Sequence, residues 1–493
     1  MAEQGRRYVA LDFGAESGRA IVGRIADDAL EIEPVHRYPN VPVRMGGTLY
    51  WDFARQFGDI LAGMQKAAAD GPVHSVSVDT WGVDYGYIDA RGKLIGNPVH
   101  YRDNRHESML EEAFSVIPRD ELYMATGIQF MSINTLYQLL SEVRADDPIL
   151  GHADKLLMMP DLFNHFLCGV DVCEYTEATT GQTLDPWTRD WARPLLERLG
   201  IPTHFLPEVV QPGTELGTLL NEVAEATGCT GARVIAGASH DTPSAVAAIP
   251  LAGPSTAYIS SGTWSLVGLE VTEPVVTEAS LAANLTNEGG YGGTITLLKN
   301  VMGLWPVQQS RAALWPGDGA PSYEEICELA TSGEQWTAFV DPDDQRFLWP
   351  GDMPTRIREY CEETGQPVPY ETANLFRVIF ESLALKYTWV VEQLSAVTGQ
   401  QIDRIHIVGG GSQNEVLCQM TANASKREVV AGPVEATAIG NIVIQAIASG
   451  ELRDLAEARE LIARSFPMKT YEPKGFFWRE AQERFAKLME KDD

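Results

Sequence analysis

The chain opens on short apolar runs, Tyr8–Asp12, Ala20–Arg24 and Leu30–Tyr38. The first two are separated by the turn Phe13-Gly14-Ala15-Glu16-Ser17-Gly18-Arg19, and this spacing predicts an antiparallel meander. Over Asp52–Ala69 the apolar residues Phe53, Phe57, Ile60, Leu61 and Met64 recur at helical spacing, which predicts an amphipathic helix. Val73–Val78 then returns to strand and runs into Asp79-Thr80-Trp81-Gly82-Val83-Asp84. A similar order starts again near residue 256. Tyr258–Ser261 and Ser265–Leu269 read as strands around the turn Gly262-Thr263-Trp264, Leu375–Ser395 as a helix, and Arg404–Val408 as a strand ending in Gly409-Gly410-Gly411-Ser412. A glycine turn between two strands, met twice, predicts two similar lobes with a cleft between them and a seam near Ile249–Pro254.

Length agrees with that division: 493 residues suffice for two lobes that each bury a core. Charge removes whole classes of function. With 38 Lys plus Arg against 68 Asp plus Glu, the net charge of -30 repels nucleic-acid backbones and anionic lipid surfaces. No apolar run approaches the ~20 residues of a membrane span, and the start, Met-Ala-Glu-Gln-Gly-Arg-Arg, has no secretory apolar region. The six cysteines, Cys168, Cys173, Cys229, Cys327, Cys361 and Cys418, show no CxxC pairing and read as thiols of a reducing cytoplasm.

Phosphate-binding chemistry is the first question such a fold raises. GxxxxGK[ST] is absent, and the third glycine of a dinucleotide fingerprint after Gly409 would fall on Asn414, so neither motif applies. The turns Asp12–Arg19 and Ser260–Ser265 remain, as backbone cradles for an anion or as ordinary hairpins that need glycine. Asp12, at a strand end, suits Mg²⁺ held through water; it equally suits an Asx turn. In Arg233–Ile249 a strand breaks at Gly237 and a helix begins near Pro243, with His240 and Asp241 at its start. Asp241 is either the helix N-cap, a role worth about 1 kcal/mol, or a general base for a hydroxyl attacking phosphorus, with His240 on the substrate. Thr80–Asp84 and Tyr101-Arg102-Asp103-Asn104-Arg105 mix aromatic and polar groups, as a polyol pocket or as two polar loops around a half-buried tryptophan.

Taken together, the segments LDFGAESGR (11–19), VDTWGVD (78–84), YRDNR (101–105), EYTEATT (174–180), ASHDTPSAVA (238–247), AYISSGTWSLVG (257–268), NLTNEGG (284–290), LKNVMGLWPVQ (298–308), DPDDQRF (341–347), HIVGGGSQN (406–414) and AGPVEATAIGN (431–441) resemble the FGGY carbohydrate kinase family over nearly the whole chain. The resemblance implies an α/β fold of two actin-like (ribonuclease H-like) lobes, each with a mixed central sheet, and an active-site cleft between them. It divides the chain into a sugar-binding lobe, 1–249, and a nucleotide-binding lobe, 250–493. It implies ATP and Mg²⁺, with Asp12 at the metal and Asp241 as the base. Ala15, Glu16, Ser17, Gly18, Arg19 and Thr263 would hold the phosphates, with Gln308 and Gly410 around the nucleotide. Gly82, Ser239, His240, Asp241, Thr242 and Asn300 would line the sugar. The reaction implied is transfer of the γ-phosphoryl to the 1-hydroxyl of a ketose, L-rhamnulose first, with L-fuculose or xylulose as alternatives. A monomer or homodimer in the cytoplasm is expected. A catalytically silent ATP- and sugar-sensing protein of the same fold would need neither a carboxylate at 241 nor a sugar-lining loop at 80–84. Two residues depart from the family pattern. Glu16 stands where a small serine-like residue is more frequent, so its carboxylate must point outward or meet the metal; Pro243 replaces alanine and suits a first helical turn.

Overall fold

The computed structural model describes residues 5–250, 253, 255–317, 319–475 and 478–489. Leu251, Ala252 and Pro254 of the expected seam, and Met1–Gln4 of the N-terminal stretch, lie outside that set. The chain forms two compact units, each built on a sheet. The units are not the contiguous halves 1–249 and 250–493. The first gathers the described residues up to Pro250 together with Val271–Leu297 and Ala436–Ser465. The second gathers the described residues after Pro250 as far as Glu270, Leu298–Glu435 and those from Phe466 onward.

In the first unit the expected meander is present, each strand a little longer than its apolar run: β1 (Arg7–Phe13), β2 (Ser17–Ala26) and β3 (Ala29–Pro39). The sheet is completed by β4 (Ser75–Thr80), β5 (Thr214–Thr218) and β6 (Arg233–Ala236), in the order β5-β6-β4-β1-β2-β3. β1 is antiparallel to β2 and parallel to β4, and β4 is parallel to β6. β4 starts two residues later than Val73, so Asp79 and Thr80 are strand residues and not loop. The helix Phe53–Ala69 buries Phe53, Ile60 and Met64, and Asp52 caps it by accepting from the Arg55 amide.

In the second unit β7 (Thr256–Ser261), β8 (Trp264–Val271), β9 (Ile295–Met302), β10 (Arg404–Val408), β11 (Glu428–Ala431) and β12 (Lys469–Tyr471) follow the order β9-β8-β7-β10-β11-β12. Its pattern repeats that of the first sheet. The opening hairpin strand pairs in parallel with a later strand, that strand with another, and an antiparallel strand closes the edge. The element order repeated in the sequence is therefore a repeat of architecture. The helix over Leu375–Ser395 extends to Thr372–Thr398 and is buried along most of its length, as its central run of apolar residues requires.

The helix Ala436–Ala448 returns to the first unit because it is buried on nearly every face, from Ala436 through Ala446. Gln445 donates to the Val9 carbonyl (3.1 Å) and accepts from Ser75 Oγ (2.6 Å), and Asn441 Nδ2 donates to Asp79 Oδ2 (2.5 Å). Its neighbour is the short helix Asp241–Ala247, and the two backbones nearly touch. A Cβ on Gly440 would lie 1.8 Å from the Ser244 carbonyl oxygen. Gly440→Ala is therefore expected to cost at least about 1–3 kcal/mol, the range of overpacking, read as a lower denaturant midpoint. An unchanged midpoint would mean that the two helices separate freely.

Candidate active site

Strand register assembles the acidic centre. Asp12 pairs with Arg19 across β1–β2 and with Asp79 across β1–β4, so all three side chains share one face of the sheet. Arg19 Nε lies 3.0 Å from Asp12 Oδ2. Both carboxylates are buried, and Asp79 Oδ1 has no protein partner. Burial raises the Asp12 pKa, and the Arg19 charge opposes the shift. Burial and then the Asp12 charge raise Asp79 well above the usual carboxylate range. Asp12 is an ion-paired strand residue, which disposes of its Asx-turn reading.

The turn after β1 is held from behind. Gly14 N donates to the Ser17 carbonyl (3.1 Å), Asn40 Nδ2 to the Gly14 carbonyl (3.0 Å), and the Asn40 amide to the Glu16 carbonyl (2.9 Å). Gln56 from the helix Phe53–Ala69 fixes Asn40 in turn (2.7 Å). Ala15 and Ser17 are half-buried, Gly18 is buried, and Arg19 is half-buried beside Asp12. Glu16 is exposed at the tip: surrounding protein raises its pKa while the charge of Arg102 lowers it. Its carboxylate takes the outward alternative.

β4 and β6 end side by side and bring two predicted segments together. Thr80 N donates to the Ser239 carbonyl (2.9 Å), and Thr80 and His240 form a parallel bridge. After β4, Gly82 packs so closely on Thr180 that a Cβ would sit 2.8 Å from its Cγ2. Val83 follows with φ 71°, a conformation that β-branched residues rarely adopt and that costs about 1–3 kcal/mol. Thr180 Oγ1 accepts the Val83 amide (2.9 Å), and Thr135 Oγ1 and Gln138 Nε2 donate to the Val83 carbonyl (2.7 and 3.2 Å). Strain that is clamped on three sides is found where a loop must hold one shape. Behind it Asp84 accepts from Trp51 Nε1 (2.6 Å), Trp81 Nε1 (2.9 Å), the Tyr101 amide (3.2 Å) and Gln138 Nε2 (3.1 Å). Burial raises the Asp84 pKa to about 6, and these donors hold it no higher. The result is an aromatic wall, with Trp51 and Trp81 centroids 4.1 Å apart and His100 stacked on Trp51 at 4.0 Å. In Tyr101–Arg105 only part of the loop is available to a ligand. Asp103 accepts the Leu49 amide (2.8 Å), and Arg105 pairs with Glu142 (2.9 Å).

His240 is the N-cap of the helix Asp241–Ala247, with no side-chain capping bond, and Asp241 is its first residue. The N-cap reading of Asp241 is thereby corrected: its Oδ1 accepts from Thr242 Oγ1 (3.1 Å), not from a helix amide. Burial raises the Asp241 pKa; the His240 charge lowers it, and Asp12 raises it again. Ser239 is buried, its amide bound to Glu174 Oε2 (3.0 Å) and its hydroxyl without a protein partner. Glu174, whose pKa burial raises to about 7, also takes the amides of Thr176 (2.9 Å) and Glu177 (3.2 Å). Asn40, Asp79, Glu174 and Asn441 were not singled out from sequence. Asp79, Glu174 and Asn441 lie inside the quoted segments, but what each touches depends on the fold.

The remaining predicted residues belong to the second unit. Thr263 and Gln308 meet, with Gln308 Nε2 3.3 Å from Thr263 Oγ1. The turn carrying Thr263 is pinned by the amides of Gly303 and Trp305 on the Thr263 carbonyl and of Leu304 on the Gly262 carbonyl. Gly410 opens the short helical turn Gly410–Gln413 after β10, and the space over its Cα is open. Asn300 is half-buried on β9.

Two family models match the chain: the N-terminal domain of the FGGY family of carbohydrate kinases over residues 7–248 and the C-terminal domain over residues 257–449. The chain belongs to this family and is a sugar kinase. A rhamnulokinase of Bacteroides thetaiotaomicron is 45% identical over 469 residues, covering 95% of this chain and 96% of the relative. A rhamnulokinase of Bacillus subtilis is 38% identical over 468 residues, covering 95% of each. Among solved structures, a xylulose kinase from Lactobacillus acidophilus superposes with a TM-score of 0.81 at 16% identity, covering 99% of this chain and 97% of that one, a likeness of fold. Among the described residues no helix is long and apolar enough to cross a membrane.

Proposed function

We propose that the chain transfers the γ-phosphoryl of ATP to the 1-hydroxyl of L-rhamnulose, with Asp241 as general base. The observation that carries this is Asp241 itself: a carboxylate at the first turn of a helix, free of capping duty, beside a buried histidine and within the field of Asp12. Asp241 accepts the hydroxyl proton as the sugar oxygen bonds to phosphorus, and the bond to the leaving ADP oxygen breaks. Ala15–Arg19 and Thr263 would bind the phosphates, and Gln308 and Gly410 the nucleotide. Gly82, Ser239, His240, Thr242 and Asn300 would orient the sugar against the tryptophan wall.

The acidic centre fits a hydrated Mg²⁺. Asp12 is paired with Arg19, Asp79 Oδ1 makes no hydrogen bond to protein, and among the described residues no three His, Cys, Asp or Glu side chains converge to enclose a metal. Asp12 would therefore hold the ion through its waters, as suits Mg²⁺. When bound, that ion supplies charge neutralisation to the phosphates. Six free thiols agree with work in a reducing cytoplasm.

The choice of sugar follows from the rhamnulokinases that match nearly the whole chain. The test is ADP release across L-rhamnulose, L-fuculose, D- and L-xylulose, D- and L-ribulose and glycerol. L-Rhamnulose should give the highest kcat/KM. Stereoisomers should fall steeply, because buried polar groups left unpaired discriminate by about 10⁴-fold or more, whereas one added hydroxyl is rejected by only about 10²-fold. Tenfold better turnover of L-fuculose or a xylulose would keep the kinase and change its sugar.

A further inference from the structure

Beside the base lies a second buried carboxylate with no assigned part in the reaction. Glu288, on the strand Thr286–Gly289, is 3% exposed. Its Oε1 accepts from Thr286 Oγ1 (3.4 Å), and its Oε2 lies 3.3 Å from His240 Nδ1. The other ring nitrogen, Nε2, is 3.5 Å from Asp241 Oδ1. His240 is thus the one basic group within ion-pair reach of Glu288 among the described residues.

The placement is rigid from both sides. The strand is tied down by Gly289 N on Thr179 Oγ1 (2.8 Å) and by Thr296 Oγ1 on the Glu288 carbonyl (3.1 Å). The His240 backbone is tied by its amide on Thr176 Oγ1 (3.3 Å) and by its carbonyl, which accepts the Ser244 amide (3.3 Å). The imidazole has a carboxylate oxygen within ion-pair distance of each nitrogen, His240 Nδ1 and Glu288 Oε2 both being buried without another partner, and only the doubly protonated ring has a donor for both. A buried carboxylate without such a partner would be strongly destabilising.

We propose that Glu288 is a positioning residue for phosphoryl transfer: it holds the Nδ1 proton of His240, fixes the ring as an imidazolium, and thereby presents Nε2–H to Asp241. The positive charge then stands next to the base, opposing the negative charge of Asp12, and it keeps Asp241 ionised and ready to accept a proton. The groups acting on His240 are Glu288, Asp241 and Glu174. Burial alone would lower its pKa, and the three carboxylates outweigh burial and raise it. Glu174 acts on the ring by its charge but is itself bonded to the Thr176 hydroxyl and the Ser239 amide, so Glu288 is the partner whose removal isolates Nδ1 from its carboxylate.

The inference rests on Asp241 being the base, but its first readout does not. In protein labelled with ¹⁵N-histidine and assigned with His240→Gln, the His240 ring should be doubly protonated at pH 7. In Glu288→Gln it should become neutral at that pH. A neutral ring in the unaltered protein, or a ring that titrates identically in both, would overturn the proposal. In kinetics Glu288→Gln should lower kcat by about 10- to 100-fold, the range for a carboxylate that orients a histidine. KM for ATP should hold, and Glu288→Asp should recover part of the loss. Unaltered kcat in a folded Glu288→Gln enzyme would remove Glu288 from the reaction even if the ring titration shifts.

Discussion

Replacing Asp241 with asparagine is expected to lower kcat by about 10²- to 10⁴-fold, the usual contribution of a general base, while thermal stability stays nearly unchanged. The two halves of that result have separate causes. Catalysis fails because an amide cannot accept the hydroxyl proton. Stability holds because Asp241 is the first residue of its helix and caps nothing: the cap position is His240, and Asp241 Oδ1 accepts from Thr242 Oγ1 and lies 3.5 Å from His240 Nε2. Asparagine can still accept that bond, and the exchange removes a charge whose burial was costly. The unaltered enzyme should also lose activity as pH falls, since the base works deprotonated and burial has raised its pKa. A folded Asp241→Asn enzyme with full kcat would assign the residue a purely structural role.

Asp12→Ala is expected to cost about 10²- to 10³-fold in kcat, the scale for losing a group that stabilises charge on a transferring phosphoryl. Here too stability and activity separate. Removing Asp12 breaks its pair with Arg19 but relieves the repulsion of Asp79, so the melting temperature should change little. A chelator should abolish activity and Mg²⁺ restore it in the unaltered protein. Saturating Mg²⁺ should not restore the Asp12→Ala variant, and if it does, Asp12 has no place at the metal.

Much of the architecture was legible in the chain because it rests on local pattern. The strands around Gly14 and around Gly262, the helix at Asp52 and the strand at Arg404 all follow from apolar spacing and turn residues. What spacing does not encode is return. Ala436–Ala448 sits with the first unit because Asn441 and Gln445 bond to Asp79, Ser75 and Val9, more than 360 residues earlier. A division at residue 249 has no means of anticipating that crossing.

The site shows the same split. Asp12, His240 and Asp241 stood out as residue types at a strand end and a helix start, and Gly82 came from the family resemblance. Asp241 was ambiguous between cap and base because a one-residue shift of the helix start decides it. Asp84 was visible as a polar residue after β4, yet three of its four donors, Trp51, Tyr101 and Gln138, come from other stretches of chain, and Trp81 alone is local. Glu288 was seen only within a matching segment, since nothing local to Thr286–Gly289 indicates a histidine across from it. Partners are fixed by tertiary structure, and residue types alone are silent about them.

Phosphorylation of a ketose by ATP ties ADP release to the sugar. Its most direct test is to incubate the purified chain with ATP, Mg²⁺ and L-rhamnulose and follow ³¹P NMR. A sugar 1-phosphate and ADP should rise together in equal amounts, with negligible ADP when the sugar is omitted. ADP formed at the same rate without sugar, or accompanied only by inorganic phosphate, would show an ATPase and not a sugar kinase.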